Sequence, residues 1–211
     1  MLKPPGKKVH PLIKVGVVLL LLAGLGLLFI RSVKDARAEP YAISARHLQG
    51  WTLGIDTAAD SQGSVVSLRP PAEMPMNLFR QLFSRQMESM GTPSEPGIPL
   101  ALRQELPASV TPDQVLALAR SAGLEKAAIT PDCVGYKRVS AMGATRQLYY
   151  VRFAVAGFDG FRSRLGALAG PDFKPAALSP ILMMAAQPGF TGWMPIGADA
   201  KGDCIAPVTI E

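Results

Sequence analysis

Histidine and cysteine are almost absent. The 211 residues hold two of each: His10, His47, Cys133 and Cys204. His10 lies in front of a long apolar run, which leaves His47 as the one imidazole available to a folded part. A zinc site built from histidines is thereby excluded. Any Ser-His-Asp or Cys-His arrangement has to pass through His47, which stands in "ARHLQGW" without a G-x-S-x-G or a cysteine motif to join. It reads as an ordinary surface or core histidine. Asparagine occurs once, as Asn77 followed by Leu78 and Phe79, so there is no N-x-Ser/Thr acceptor. A phosphate-cradling glycine loop is missing too, because Gly24 and Gly26 belong to the apolar run. The carboxylate pairs Asp56/Asp60 and Asp199/Asp203 do not match the calcium-loop pattern and suit turns instead. The residues therefore assign no catalytic group, no cofactor and no metal ligand.

A net charge of +6 invites a nucleic-acid reading until the charges are located. Residues 1–38 carry seven basic side chains against Asp35 alone, which leaves fifteen of each sign in residues 39–211. The folded part is neutral and lacks the positive field that a phosphate backbone requires. No nucleic acid is expected as a partner.

What is present is one long apolar run. Leu12 to Ile30 are 19 residues with Lys14 as their sole charge. As a helix they span about 28 Å, close to the hydrocarbon thickness of a bilayer. A signal peptide's apolar region is shorter, about 7–15 residues, so a retained anchor is the leading expectation. Ala36-Arg37-Ala38 nonetheless satisfies the small-x-small rule for signal cleavage, at a site crowded by Arg31, Lys34, Asp35 and Arg37. Four lysines lie in the first 14 residues and three basic residues follow the run, which puts the N-terminus in the cytoplasm. The expected plan is a basic tail over 1–11, a transmembrane helix over 12–30, a linker over 31–40 and an extracytoplasmic domain over 41–211.

Cys133 and Cys204 have similar surroundings, "PDCVGY" and "GDCIAP". In an oxidising compartment such a pair reads as a disulfide, formed if two neighbouring strands begin at one end of a sheet.

Within the domain, alternation predicts strands in 41–56, in "SVVSLRPP", in "LALRQEL", and in "LSPILMMAAQ" and "CIAPVTI". "CVGYKRVS" and "TRQLYYVRFAV" flank "AMGA" as a hairpin, with Tyr149, Val151, Phe153 and Val155 on one face. "GWMPIG" is a strand or loop. Helices are expected over 77–91, capped by Asn77 and stopped by Gly91, and over "TPDQVLALARSAGL". The latter carries a Thr111–Gln114 capping box, Pro112 at the first position and Gly123 at the end. A third helix is expected over 159–169.

The fold class is α+β, a mostly antiparallel sheet with about three helices packed on it. Two strand–helix–strand stretches, 64–106 and 146–187, suggest a ferredoxin-like duplication. Scarce asparagine with 20 glycines and 19 prolines points to GC-rich bacterial coding. The expected function is an envelope interaction or scaffold domain, held to the lipid bilayer through residues 12–30 and meeting other envelope proteins. The alternatives are a periplasmic module for a small apolar or glycan ligand, released after Ala38, and a hydrolase that does without histidine.

Overall fold

The computed structural model describes residues 11–57, 63–86, 89–141, 144–187 and 203–211. The chain divides into two compact units, residues 1–38 and 39–211.

The first unit contains helix α1, Pro11–Ala38. An unbroken supply of Leu, Val and Ala drives the helix, since these residues leave the backbone to satisfy itself. Its stretch from Val15 to Ile30 is apolar on all sides, and none of the window Val15–Ser32 is buried. A helix that is hydrophobic all round has no wet face, so it fits lipid and not the surface of a soluble domain.

The second unit is α+β. Its strands are β1 (Tyr41–Ile43), β2 (Thr52–Ile55), β3 (Ser64–Arg69), β4 (Ile98–Leu102), β5 (Ile129–Ala141), β6 (Ala144–Val155), β7 (Ile181–Ala186) and β8 (Cys204–Ile210). Its helices are α2 (Glu73–Gln86), α3 (Pro112–Ser121) and α4 (Phe158–Ala169). Five strands form a mixed sheet, curled as a half-barrel, in the order β1-β8-β5-β6-β7. The others form a small antiparallel sheet, β2-β3-β4. Only β1 and β8 run parallel among the described strands, with Tyr41 opposite Val208 and Ile43 opposite Ile210.

The expected hairpin is present: β5 and β6 pair antiparallel from Ile129↔Val155 to Ala141↔Ala144. Tyr149, Val151, Phe153 and Val155 enter the main core together. The other face of β6 is apolar as well, where Leu148 and Tyr150 join Ile181 and Met183 in a second buried cluster. Burial on both faces explains why "ILMM" in β7 is a continuous apolar run and not an alternation.

Three expectations need correction. The first helix begins a turn earlier than Asn77, at Glu73. Pro75 falls within its opening turn, where no N–H has an intrahelical partner to lose. Asn77 is therefore interior, and Gly91 pairs with Ala186 through two backbone bonds of 2.8 and 2.9 Å instead of closing the helix. Second, "LALRQEL" is strand only to Leu102 and then turns through Arg103–Glu105, because the Glu105 carboxylate accepts the Leu102 N–H at 2.7 Å. Third, the ferredoxin-like duplication is absent. That arrangement separates the two strands flanking a helix by another strand, whereas β3 and β4 pair directly and antiparallel, as do β6 and β7. The α3 signals hold in full: Thr111 Oγ1 accepts the Gln114 N–H, and Gly123 is left-handed at φ 73°. "GWMPIG", Asp60 and Asp199 lie outside the described residues.

Candidate functional site

Helix α2 lies against β1 and β7. Beside it, β1 and the turn Ala45–Leu48 form one wall of a groove of about 360 Å³, and α2 forms the other. Met74 and Leu78 floor it, and Arg46, His47, Arg80 and Gln81 supply its polar rim.

The groove is built by side chains of α2 that bond to backbone. Gln81 Nε2 donates to the Ala42 carbonyl at 2.8 Å, and its Oε1 accepts the Ala42 N–H at 2.9 Å. The amide therefore occupies the free edge of β1 as another strand would. One turn on, Arg85 donates to the carbonyls of Glu39 and Pro40 and lays its guanidinium 4.0 Å from the centre of the Tyr41 ring. Burial pushes the Tyr41 hydroxyl pKa up, against the opposing pull of Arg85.

His47 is 4% exposed and lies at the end of this groove. Its Nε2 accepts from Arg46 Nε at 3.3 Å and stands 3.4 Å from Glu73 Oε2. The first contact needs a lone pair on Nε2 and the second needs a proton there, so the ring serves one partner at a time. Trp51 Nε1 donates to the His47 carbonyl at 3.0 Å, fixing the turn. Among the described residues no hydroxyl is hydrogen-bonded to this imidazole.

Two buried carboxylates bind structural partners, whereas the buried Tyr41 hydroxyl has no hydrogen-bond partner among the described residues. Glu105, 1% exposed, accepts from Arg162, from Leu102 N and from Ala176 N, and so ties β4 to α4 and to the irregular segment leading into β7. Asp56 accepts from Ser64 Oγ at 2.6 Å, Ser67 Oγ at 2.7 Å and Arg69 at 3.0 Å. Carboxylates held this way hold the fold: Glu105 accepts four hydrogen bonds and Asp56 three. No cluster of three metal-ligating side chains occurs among the described residues.

Cys133 and Cys204 form a disulfide. The strands that carry them are neighbours, but antiparallel, with Cys133 opposite Pro207 and Gly135 opposite Cys204. Cys204 opens β8 while Cys133 lies inside β5, and the pairing, which has a register shift between Val134 and Gly135, leaves their Cα atoms 5.8 Å apart. Ala36 and Ala38 lie in the last turn of α1, immediately before the unit that starts at Glu39. Tyr and Arg side chains of the hairpin face each other locally: Arg138 Nε donates to the Tyr136 hydroxyl at 2.6 Å, and Arg152 pairs with Asp132.

Sequence reasoning missed Gln81, Arg85, Glu105 and Arg162. Gln81 and Arg85 carry a legible signal, being four residues apart on one flank of an amphipathic helix. Nothing near Glu105 in sequence announces Arg162, 57 positions away.

No known family model, curated protein or solved structure matches the chain.

Proposed function

We propose that this chain is a single-span envelope protein whose extracytoplasmic domain is an interaction or scaffold module and not an enzyme. The observation that carries the reading is a helix with an exposed apolar stretch long enough to cross a bilayer, followed directly by a disulfide-closed α+β domain. The helix supports an anchor or a signal, and the disulfide fits an oxidising compartment. The lysines before the run favour a cytoplasmic N-terminus and a periplasmic or extracellular domain. The domain's buried carboxylates are occupied in holding strands and loops together, which supports binding over catalysis. Its partners on this reading are the bilayer and other envelope proteins.

The groove beside α2 favours a second reading, a ligand-binding module released by cleavage after Ala38. Cell fractionation with a carbonate wash, followed by intact mass without reductant, separates the two. An anchored protein stays in the membrane pellet with a mass that includes residues 1–38. A soluble mass beginning at Glu39 favours the released module. Crosslinking in native membranes that returns no reproducible protein neighbour counts against scaffolding.

A further inference from the structure

The groove beside α2 is bordered by two opposite charges on opposite walls. Arg80 belongs to the α2 wall. Glu211 belongs to the other, where its N–H donates to the Ile43 carbonyl at 2.9 Å and its carbonyl accepts the Ala45 N–H at 2.7 Å. Both side chains are exposed, and among the described residues neither has an ion-pair or hydrogen-bond partner. Arg46, the other cation at the rim, is matched by Glu73 at 2.9 Å. The groove thus keeps one cation and one anion apart, each uncompensated.

Between those walls the floor is apolar, made by the buried Met74 and Leu78. Three polar groups along the groove have bonding capacity left over. His47 directs Nε2 to Arg46 and Glu73, and its Nδ1 makes no hydrogen bond among the described residues. The Ser44 hydroxyl and the Asn77 amide make none there either. The histidine weighs most, because it is 4% exposed. An imidazole that meets so little solvent gains more from a ligand's hydrogen bond than an exposed side chain does. The volume of about 360 Å³ is at the small end of ligand pockets.

Charge selects the occupant. A simple anion gains from Arg80 and is opposed by Glu211, and a simple cation meets the reverse. An uncharged apolar molecule draws water from both charges and returns nothing for it. A carboxylate and an ammonium on one apolar body answer both walls and the floor. We propose that the groove binds an apolar zwitterion, a free α-amino acid or a dipeptide. Its carboxylate meets Arg80, its ammonium meets Glu211, and its side chain lies over Met74 and Leu78. This rests on reading the groove as a ligand site, and it holds whether or not residues 1–38 are retained.

The test is calorimetric titration of the full chain in phospholipid nanodiscs, with empty nanodiscs subtracted. The probes are leucine and leucyl-leucine, each beside its N-acetylated form, which lacks the ammonium, and its amide, which lacks the carboxylate. At least one zwitterion should bind saturably, which fixes the length of the ligand, and its two capped forms should bind about tenfold more weakly or worse. Arg80→Gln should lower the zwitterion to the level of its amide and leave the amide unchanged. Glu211→Gln should lower it to the level of the acetylated form and leave that form unchanged. Both positions are exposed, so the fold is not at stake. Asn77→Trp, which fills the groove from the α2 wall, should abolish all binding while circular dichroism stays the same. A capped form that binds as tightly as its parent, and is lost in Asn77→Trp, overturns the zwitterion and leaves the groove a ligand site. Binding that survives Asn77→Trp, or none by any of the probes, overturns both.

Discussion

Gly135 sits opposite Tyr150 across the β5–β6 pair, and the tyrosine ring lies over the place where a side chain would be. A Cβ at 135 would fall 2.2 Å from Tyr150 Cζ and 2.4 Å from Cε2. The ring cannot retreat easily, since it belongs to the second core cluster with Leu148, Ile181 and Met183. Gly135→Ala should therefore destabilise the domain by about 1–3 kcal/mol, the usual cost of overpacking. Urea denaturation checks it, and the same substitution in a Tyr150→Leu background should cost less, as contacting residues do not add. The tyrosine also makes stability pH-dependent. Burial, and then the Asp203 carboxylate, push its hydroxyl pKa up to about 12 from 10.0, against a smaller pull from Arg152. The native state therefore keeps this proton where the unfolded chain has lost it. Between pH 10 and about 12 the unfolded state binds fewer protons, and the free energy of unfolding must fall as pH rises. Denaturation midpoints across that window should drop less steeply in Tyr150→Phe than in the parent.

Elements show which features a sequence can carry. Helix α3 was legible to the residue because Thr111, Pro112, Gln114 and Gly123 act locally, each satisfying or freeing a backbone group of its own helix. The hairpin was legible because its strands are adjacent and one face alternates. The start of α2 was not, since Asn77 resembles a cap and Pro75 resembles a stop, while Met74 and Pro75 pack in the core and draw the first turn into the helix. Sheet order was hidden for another reason: β1 pairs with β8, where the Thr209 hydroxyl donates to the Tyr41 carbonyl 168 residues away, and no local signal spans that distance. The groove stayed hidden likewise, as its wall depends on Gln81 meeting Ala42 across 39 residues. That contact predicts a measurable edge effect. Gln81→Ala leaves the Ala42 N–H and carbonyl without their partner, at a cost of about 1–3 kcal/mol. Hydrogen exchange at Ala42 should accelerate, and Gln81→Glu should fall between the two, keeping an acceptor for the N–H but setting a carboxylate against the carbonyl.

At the scale of the whole domain, β8 joins the first strand to the hairpin. It lies between β1, which continues from the membrane-proximal residues, and β5, the long strand of the hairpin. The Cys133–Cys204 bond ties β8 to β5 across 71 positions of sequence. Without it, β8 is held by its ladders to β1 and β5, and β1 is only three residues long. On the chain-entropy model, closing a loop of this length removes about 4 kcal/mol of freedom from the unfolded chain. That is comparable with much of the net stability of an ordinary domain. Reduction should therefore lower the urea midpoint strongly while leaving the slope of the transition steeper than that of the oxidised protein, because the reduced unfolded chain is freer to expand. The loss should reach the far edge of the sheet as well: with β8 loosened, the hydrogen bonds that keep β1 in place are those from Gln81 and Arg85. In hydrogen exchange of the reduced protein, amides of β1 and β8 should lose protection together, ahead of those in β6 and β7. If the two edges instead open independently, the disulfide is a local staple on β5, and the sheet does not depend on it to hold its first strand.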